Sequence, residues 1–311
     1  MLSAELKHTL KRLRDVPIEY SEQHRGFVYS HTSTNREPKR GLTKVLREII
    51  PVPLGGQRPA KRARALNDTD PEPVRKVWRR TVCRTSCAAS CKQATLHRHV
   101  DGVEPTFGLA GFGPHFSVRH GKLVDQQLKF LVRNGYGATL TADMLMDPCT
   151  ATLRDYFHAH GLALIASQVP LYSADLEIAT ALDVLCTDSA TRTEMHLFEI
   201  KSTTSDSSDD EMYTRVRGRL KSSVARGTPI SFYVEHQLQL GVMDSMIRDT
   251  LEGRGPTSAR VLRVSPNCVT EYPLTPWFNS TSKKLLSVIR RRAQRSVKRR
   301  AKNKPTNRLT K

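Results

Sequence analysis

The sequence is short of acids, of cysteine and of long apolar runs. Its 311 residues carry 30 Asp and Glu against 50 Lys and Arg, a net charge of +20. Charge of that size says little about the fold but points to a polyanionic partner, nucleic acid ahead of an anionic membrane surface. No apolar run approaches the ~20 residues that span a bilayer, so no membrane role is expected. Six cysteines in so long a chain make a poor disulfide framework, and a reducing compartment is expected. No secretory signal opens the sequence. The start, "MLSAELKHTLKRLRD", has the pattern of a basic amphipathic helix, yet Glu5, Asp15, Glu19 and Glu22 are acids that mitochondrial transit peptides avoid.

What is present divides into three parts. Residues 1–105 are basic and turn-rich, expected to be partly disordered, with 51–73, "PVPLGGQRPAKRARALNDTDPEP", as a flexible linker. Within it "PAKRARA" has the form of a nuclear import signal or a nucleic-acid contact. A nuclear setting is therefore expected, in a eukaryotic cell, for a cellular or a viral protein, with the mitochondrion as the alternative. Cys83, Cys87 and Cys91, followed by His97 and His99, offer metal-ligand chemistry. Their spacing of four suits one buried face of a helix better than a zinc knuckle. Residues 106–282 hold the patterned core. Residues 283–311 form a tail with thirteen Lys or Arg and no acid, expected to be a disordered or partly helical arm.

In the core, Leu123, Val124, Leu128, Leu131 and Val132 predict a helix over 119–135 that stops at Gly135. A second helix is predicted over 150–161. The apolar period then changes, predicting strands over 162–172, 176–188 and 194–202. An acidic loop, 204–211, precedes a long helix over 230–251 and two strands, 259–265 and 268–274.

One strand contains "LFEIKST", residues 197–203. Alternation puts Leu197, Glu199 and Lys201 on one face and Phe198 and Ile200 on the other. An acid and a base on an apolar strand are costly to bury without a reason. Asp183 lies inside the preceding strand, and antiparallel pairing brings it beside Glu199. Two adjacent carboxylates resist joint ionisation unless a cation neutralises them, and hard oxygen ligands select Mg²⁺ or Mn²⁺. Lys201, on the same face, sets an ammonium beside a water held there.

Asp183 followed by Glu199-Ile200-Lys201 resembles the D…ExK core of the PD-(D/E)XK nucleases, in the branch of the RecB nuclease domain, lambda exonuclease and the viral alkaline exonucleases. The resemblance covers roughly residues 115–265. "FYVEHQLQLGVM" resembles the family helix whose glutamine lies beside the active site, with Gln237 the better match and Gln239 second. "GKLVDQQL" resembles the first family helix, and Asp125 occupies the position where Glu or His is usual. Gln168 stands near where the branch often has Glu. The resemblance implies an α/β restriction-endonuclease-like core (αβββαβ, a central mixed sheet flanked by helices). It also implies a Mg²⁺ or Mn²⁺ ion held by Asp183, Glu199, the main-chain carbonyl of Ile200 and Asp125, with Asp183, Glu199, Lys201 and Gln237 catalytic. The implied activity is metal-dependent hydrolysis of DNA, with RNA the second candidate substrate, in an exonuclease mode. The alternative is a non-catalytic nucleic-acid-binding protein built on the same core.

Overall fold

The computed structural model describes residues 3–16, 18–21, 26–29, 40–49, 80–83, 114–136, 146–176, 178–203, 213–220 and 224–302. In chain order these form α1 (Ala4–Arg14), β1 (Ile18–Ser21), β2 (Gly26–Tyr29), β3 (Arg40–Gly41), α2 (Leu42–Ile49), β4 (Arg80–Cys83), α3 (Pro114–Asn134) and α4 (Pro148–Ala159). There follow β5 (Leu162–Ser173), β6 (Ile178–Asp188), β7 (Met195–Ser202), β8 (Gly218–Arg219), β9 (Pro229–Ile230), α5 (Phe232–Thr250), β10 (Ser258–Val264), β11 (Cys268–Pro273) and α6 (Pro276–Lys302).

The predicted core elements are present with small boundary shifts, and their ends have local causes. Gly135 closes α3 in the left-handed region, φ +81°, donating its N–H to the Leu131 carbonyl at 2.8 Å. Asp147 caps α4, its carboxylate accepting from the Cys149 N–H at 2.9 Å. Ser231 caps α5. Leu123 departs from expectation: it is exposed, while Val124, Leu128 and Leu131 form the buried stripe.

The central sheet is mixed. β5, β6 and β7 form an antiparallel meander, β10 joins β7 in parallel, and β11 pairs antiparallel with β10. The short β3 and β4 extend this five-stranded centre. Each face of the sheet is covered. On one side α3 and α4 pack Leu128, Leu153 and Phe157 against Phe198, Ile200 and Leu262. On the other, α1, α2, α5 and α6 pack against Leu197, Val261 and Tyr272. Phe198 and Ile200 thus face one helical layer and Leu197 the other, as alternation on the strand requires. No helix among the described residues is long and apolar enough to cross a membrane.

The flanking regions contribute more to the core than their composition suggests. Leu6, Leu10, Leu13, Leu42, Val45 and Leu46, all within 1–105, are buried in the larger hydrophobic cluster. The expected boundary at residue 283 falls inside α6, where Leu285, Leu286 and Ile289 are buried. α6 reaches α5 at Gly241, where an added Cβ would lie 2.4 Å from Ser282 Oγ. The partly helical arm expected there is a helix whose sparse apolar residues form one buried stripe among many cations. Residues 51–73, Cys87, Cys91, His97, His99 and the 204–211 loop lie outside the described residues. The backbone of Cys83 ends strand β4, which does not fit the helical spacing expected for the cysteine cluster.

Candidate active site

β6 and β7 part company at the two acids. Their ladder runs from Thr187↔Met195 to Val184↔Phe198, and the next positions along are Asp183 and Glu199. There a side chain replaces the main-chain bond: Asp183 Oδ2 accepts from the Ile200 N–H at 2.8 Å. A strand residue directs its N–H and C=O toward the same neighbour, so the Ile200 carbonyl also faces the fork. The edge of β6 that β7 leaves is taken up further along by β3, at Ile178 and Ala179.

Four charged side chains converge on this fork. Lys201 Nζ donates to Glu199 Oε1 at 2.6 Å. Asp125 approaches from α3, within electrostatic reach of Asp183 and Lys201. Glu199 is buried, with 1% of its surface exposed, and its Oε2 has no hydrogen-bond partner among the described residues. Burial first, then the Asp183 charge, pushes the Glu199 carboxyl up to about 8. The same two causes push Asp125 to about 7. Burial pulls Lys201 down, but Glu199, Asp183 and Asp125 outweigh it and hold the ammonium above its ordinary value. Fully ionised, three carboxylates and one ammonium leave two negative charges, the complement of one divalent cation. An orphaned buried carboxylate oxygen in an all-oxygen donor set is chemically suited to Mg²⁺ or Mn²⁺.

The outer strand completes the acidic side. Gln168 Nε2 donates to Asp183 Oδ1 at 3.1 Å. Its backbone is left-handed, φ +50°, a cost of about 1–2 kcal/mol for a residue with a side chain. Just before it, β5 shifts register between Leu164 and Ala166. This bulged, strained stretch aims the carboxamide at Asp183, a role that the sequence marked only as a departure from the family's usual Glu.

The helix glutamines exchange the ranks expected of them. Gln237 is fully buried and donates to the Tyr272 carbonyl at 2.9 Å, away from the acids. Gln239 Nε2 donates to Glu199 Oε1 at 2.8 Å. Residues two apart on a helix point about 200° apart, so only one of the pair reaches the fork. Tyr233 and Leu240 do share the buried side with Gln237, but that side is core. Also on α5, the partly buried His236 meets the Tyr213 hydroxyl through Nδ1 at 3.1 Å. Burial, then Lys201 and Arg217, hold its imidazole well below the ordinary value and therefore neutral.

A second group has metal-ligand chemistry. His120, Asp147 and Cys149 place one ligand atom each within 4.8 Å of one another. An imidazole, a carboxylate and a thiol suit zinc better than magnesium. The carboxylate already caps α4 and meets His120 Nε2 at 3.1 Å, and burial pushes the Cys149 thiol up. Helix capping accounts for this arrangement. Sequence reading did not group these residues, since 26 positions of chain separate His120 from Asp147.

No protein-family model matches the chain, and no curated protein matches it. The resemblance to the PD-(D/E)XK nucleases rests on the sequence motif alone.

Proposed function

We infer that this protein is a divalent-metal-dependent nuclease of the PD-(D/E)XK type. The observation that carries the reading is the fork itself: Asp183, Glu199 and Lys201 converge where two central strands separate, with one buried Glu199 oxygen unpartnered. The net charge of +20 supports a nucleic-acid substrate, DNA first.

Asp183, Glu199 and the Ile200 carbonyl would hold the cation, with Asp125 beside them. When bound, a divalent cation supplies Lewis acidity to a water and to phosphate oxygens. Lys201, held charged by the surrounding carboxylates, donates hydrogen bonds that orient the attacking water. Its fixed positive charge also offsets the charge that develops on the phosphate oxygens. Gln239 fixes the Glu199 carboxylate through Oε1 and leaves the buried Oε2 without a partner among the described residues. Gln168 and the Ile200 N–H hold Asp183 in the same way. In the hydrolysis, the water oxygen bonds to phosphorus and gives one proton to solvent, the bond to the leaving oxygen breaks, and that oxygen takes up a proton from solvent.

The test is digestion of end-labelled linear DNA and closed-circular DNA with Mg²⁺, with and without chelator. The wild-type chain should cleave only with the metal. Glu199→Ala and Asp183→Ala should abolish cleavage while leaving DNA binding nearly intact. Cleavage by the double variant at the wild-type rate would overturn the assignment. Tight DNA binding with no cleavage under any metal would favour the non-catalytic alternative.

A further inference from the structure

Phe232 is the first residue of α5, yet 41% of its surface is exposed. Core packing does not explain a large aromatic ring in that position. The Arg217 guanidinium lies over it, 4.0 Å from the ring centroid. This pairing is held by backbone: the Arg217 N–H donates to the Ile230 carbonyl at 2.7 Å, and Gly218 pairs with Ile230 across β8 and β9. The segment that carries Arg217 also carries Arg215 and Arg219, both exposed, and Arg219 pairs with Pro229 just before α5. The His236 ring lies nearly parallel to Phe232, 26° between planes with centroids 6.2 Å apart.

Position along the helix links this surface to the fork. Phe232, His236 and Gln239 are spaced i, i+4, i+7 and form one stripe. Gln239 ends that stripe on Glu199. Seven residues of helix rise roughly 10 Å, about three nucleotide steps at ~3.4 Å each. An aromatic ring with a guanidinium on its face, flanked by further arginines, has the chemistry that single-stranded nucleic acid uses for stacking.

We propose that Phe232 and Arg217 form a stacking platform for an unpaired nucleobase on the strand cleaved at the Asp183–Glu199 fork. This rests on the nuclease reading and deepens it, since bases inside a duplex are not free to stack on a side chain. The substrate presented to the fork is then a single strand or a frayed end.

The experiment uses the full chain in chelator, so that binding is read without cleavage. The probe is a short oligothymidylate carrying one 2-aminopurine, whose fluorescence is quenched on stacking. Wild type should bind and quench it. Phe232→Ala should bind about 5- to 150-fold more weakly, with the quenching lost. Phe232→Trp should restore both. Arg217→Lys should keep the salt dependence of binding but reduce quenching. Affinity for a closed-circular duplex, which has no ends, should be the same for wild type and Phe232→Ala. Wild-type affinity and quenching in Phe232→Ala would overturn the proposal, as would an equal loss of affinity for single strand and closed duplex. Quenching without Mg²⁺-dependent cleavage would remove the nuclease reading and keep the platform. Cleavage without quenching would remove the platform alone.

Discussion

Gln239 Nε2 donates to Glu199 Oε1 at 2.8 Å, joining helix α5 to the strand that carries the E-x-K triplet. Gln237, two residues earlier, instead satisfies the buried carbonyl of Tyr272. The two glutamines should therefore fail differently. Gln239→Ala should lower cleavage about 10- to 100-fold, the usual cost of losing a group that orients a metal ligand, with little change in stability. Gln237→Ala should cost about 1–3 kcal/mol by leaving a buried carbonyl unpaired, with activity per folded molecule retained. Denaturant unfolding and cleavage rates measured on both variants would separate the roles, and the reverse pattern would return Gln237 to the site.

Lys201 donates to Glu199 but is not placed to bind a cation. Lys201→Ala should lose cleavage while keeping Mn²⁺ binding, because removing a positive charge beside the acids favours a cation there. Lys201→Arg should not rescue activity, since a planar guanidinium cannot replace a compact ammonium at 2.6 Å from Glu199. Calorimetry in which Lys201→Ala no longer binds Mn²⁺ would contradict this division of labour.

The acids make metal-free stability depend on pH. Burial and the Asp183 charge raise Glu199 to about 8 and Asp125 to about 7. A carboxyl raised in the folded state contributes stability that is fully present below its unfolded value and is lost as pH rises through its folded one. In chelator, then, the melting temperature should fall between about pH 4 and pH 8 on account of these groups. An Mg²⁺ ion bound as proposed would compete with those protons, so the stabilisation it gives should be larger at pH 8 than at pH 5. Equal Mg²⁺ shifts at both pH values would sink the claim that these carboxyls hold the ion.

Where the basic tail is cut should matter. Truncation after residue 282 removes Leu285, Leu286 and Ile289 from the core, and the shortened chain should unfold readily. Truncation after residue 289 keeps them and removes eleven of the thirteen tail cations. If ~4–6 of those engage duplex phosphates, the log K against log[salt] slope should flatten by roughly 4–5 units, similarly for all sequences. A salt titration with Glu199→Ala in both chains reads this directly, and an unchanged slope means the tail does not touch DNA.

The docking of that helix can be probed inside the fold. Gly241→Ala sets a methyl 2.4 Å from Ser282 Oγ and 2.9 Å from its Cβ, so α5 and α6 must separate. A loss of about 1–3 kcal/mol in denaturant unfolding is expected, as for other overpacked contacts.

Local chemistry determined much of this protein from sequence alone. The change of apolar period from helix to strand, the cap at Gly135, and the alternation that splits Phe198 from Glu199 all depend on near neighbours in the chain. So does the placing of Asp183 and Glu199 at the same end of the β6–β7 ladder, because a short connection between successive strands leaves few registers. The tertiary structure alone decided what depends on rotation and distance. Gln237 and Gln239 are equivalent in composition, and only the seating of α5 on the sheet turns one toward the acids. Gln168 reaches Asp183 because a bulge and a left-handed residue re-aim β5, which no propensity announces. The start of the sequence shows an amphipathic pattern and the tail allows a partly helical arm, but which leucines enter the core was not legible: α1 and α2 bury theirs beside β5 and β6, and α6 buries its stripe against α5.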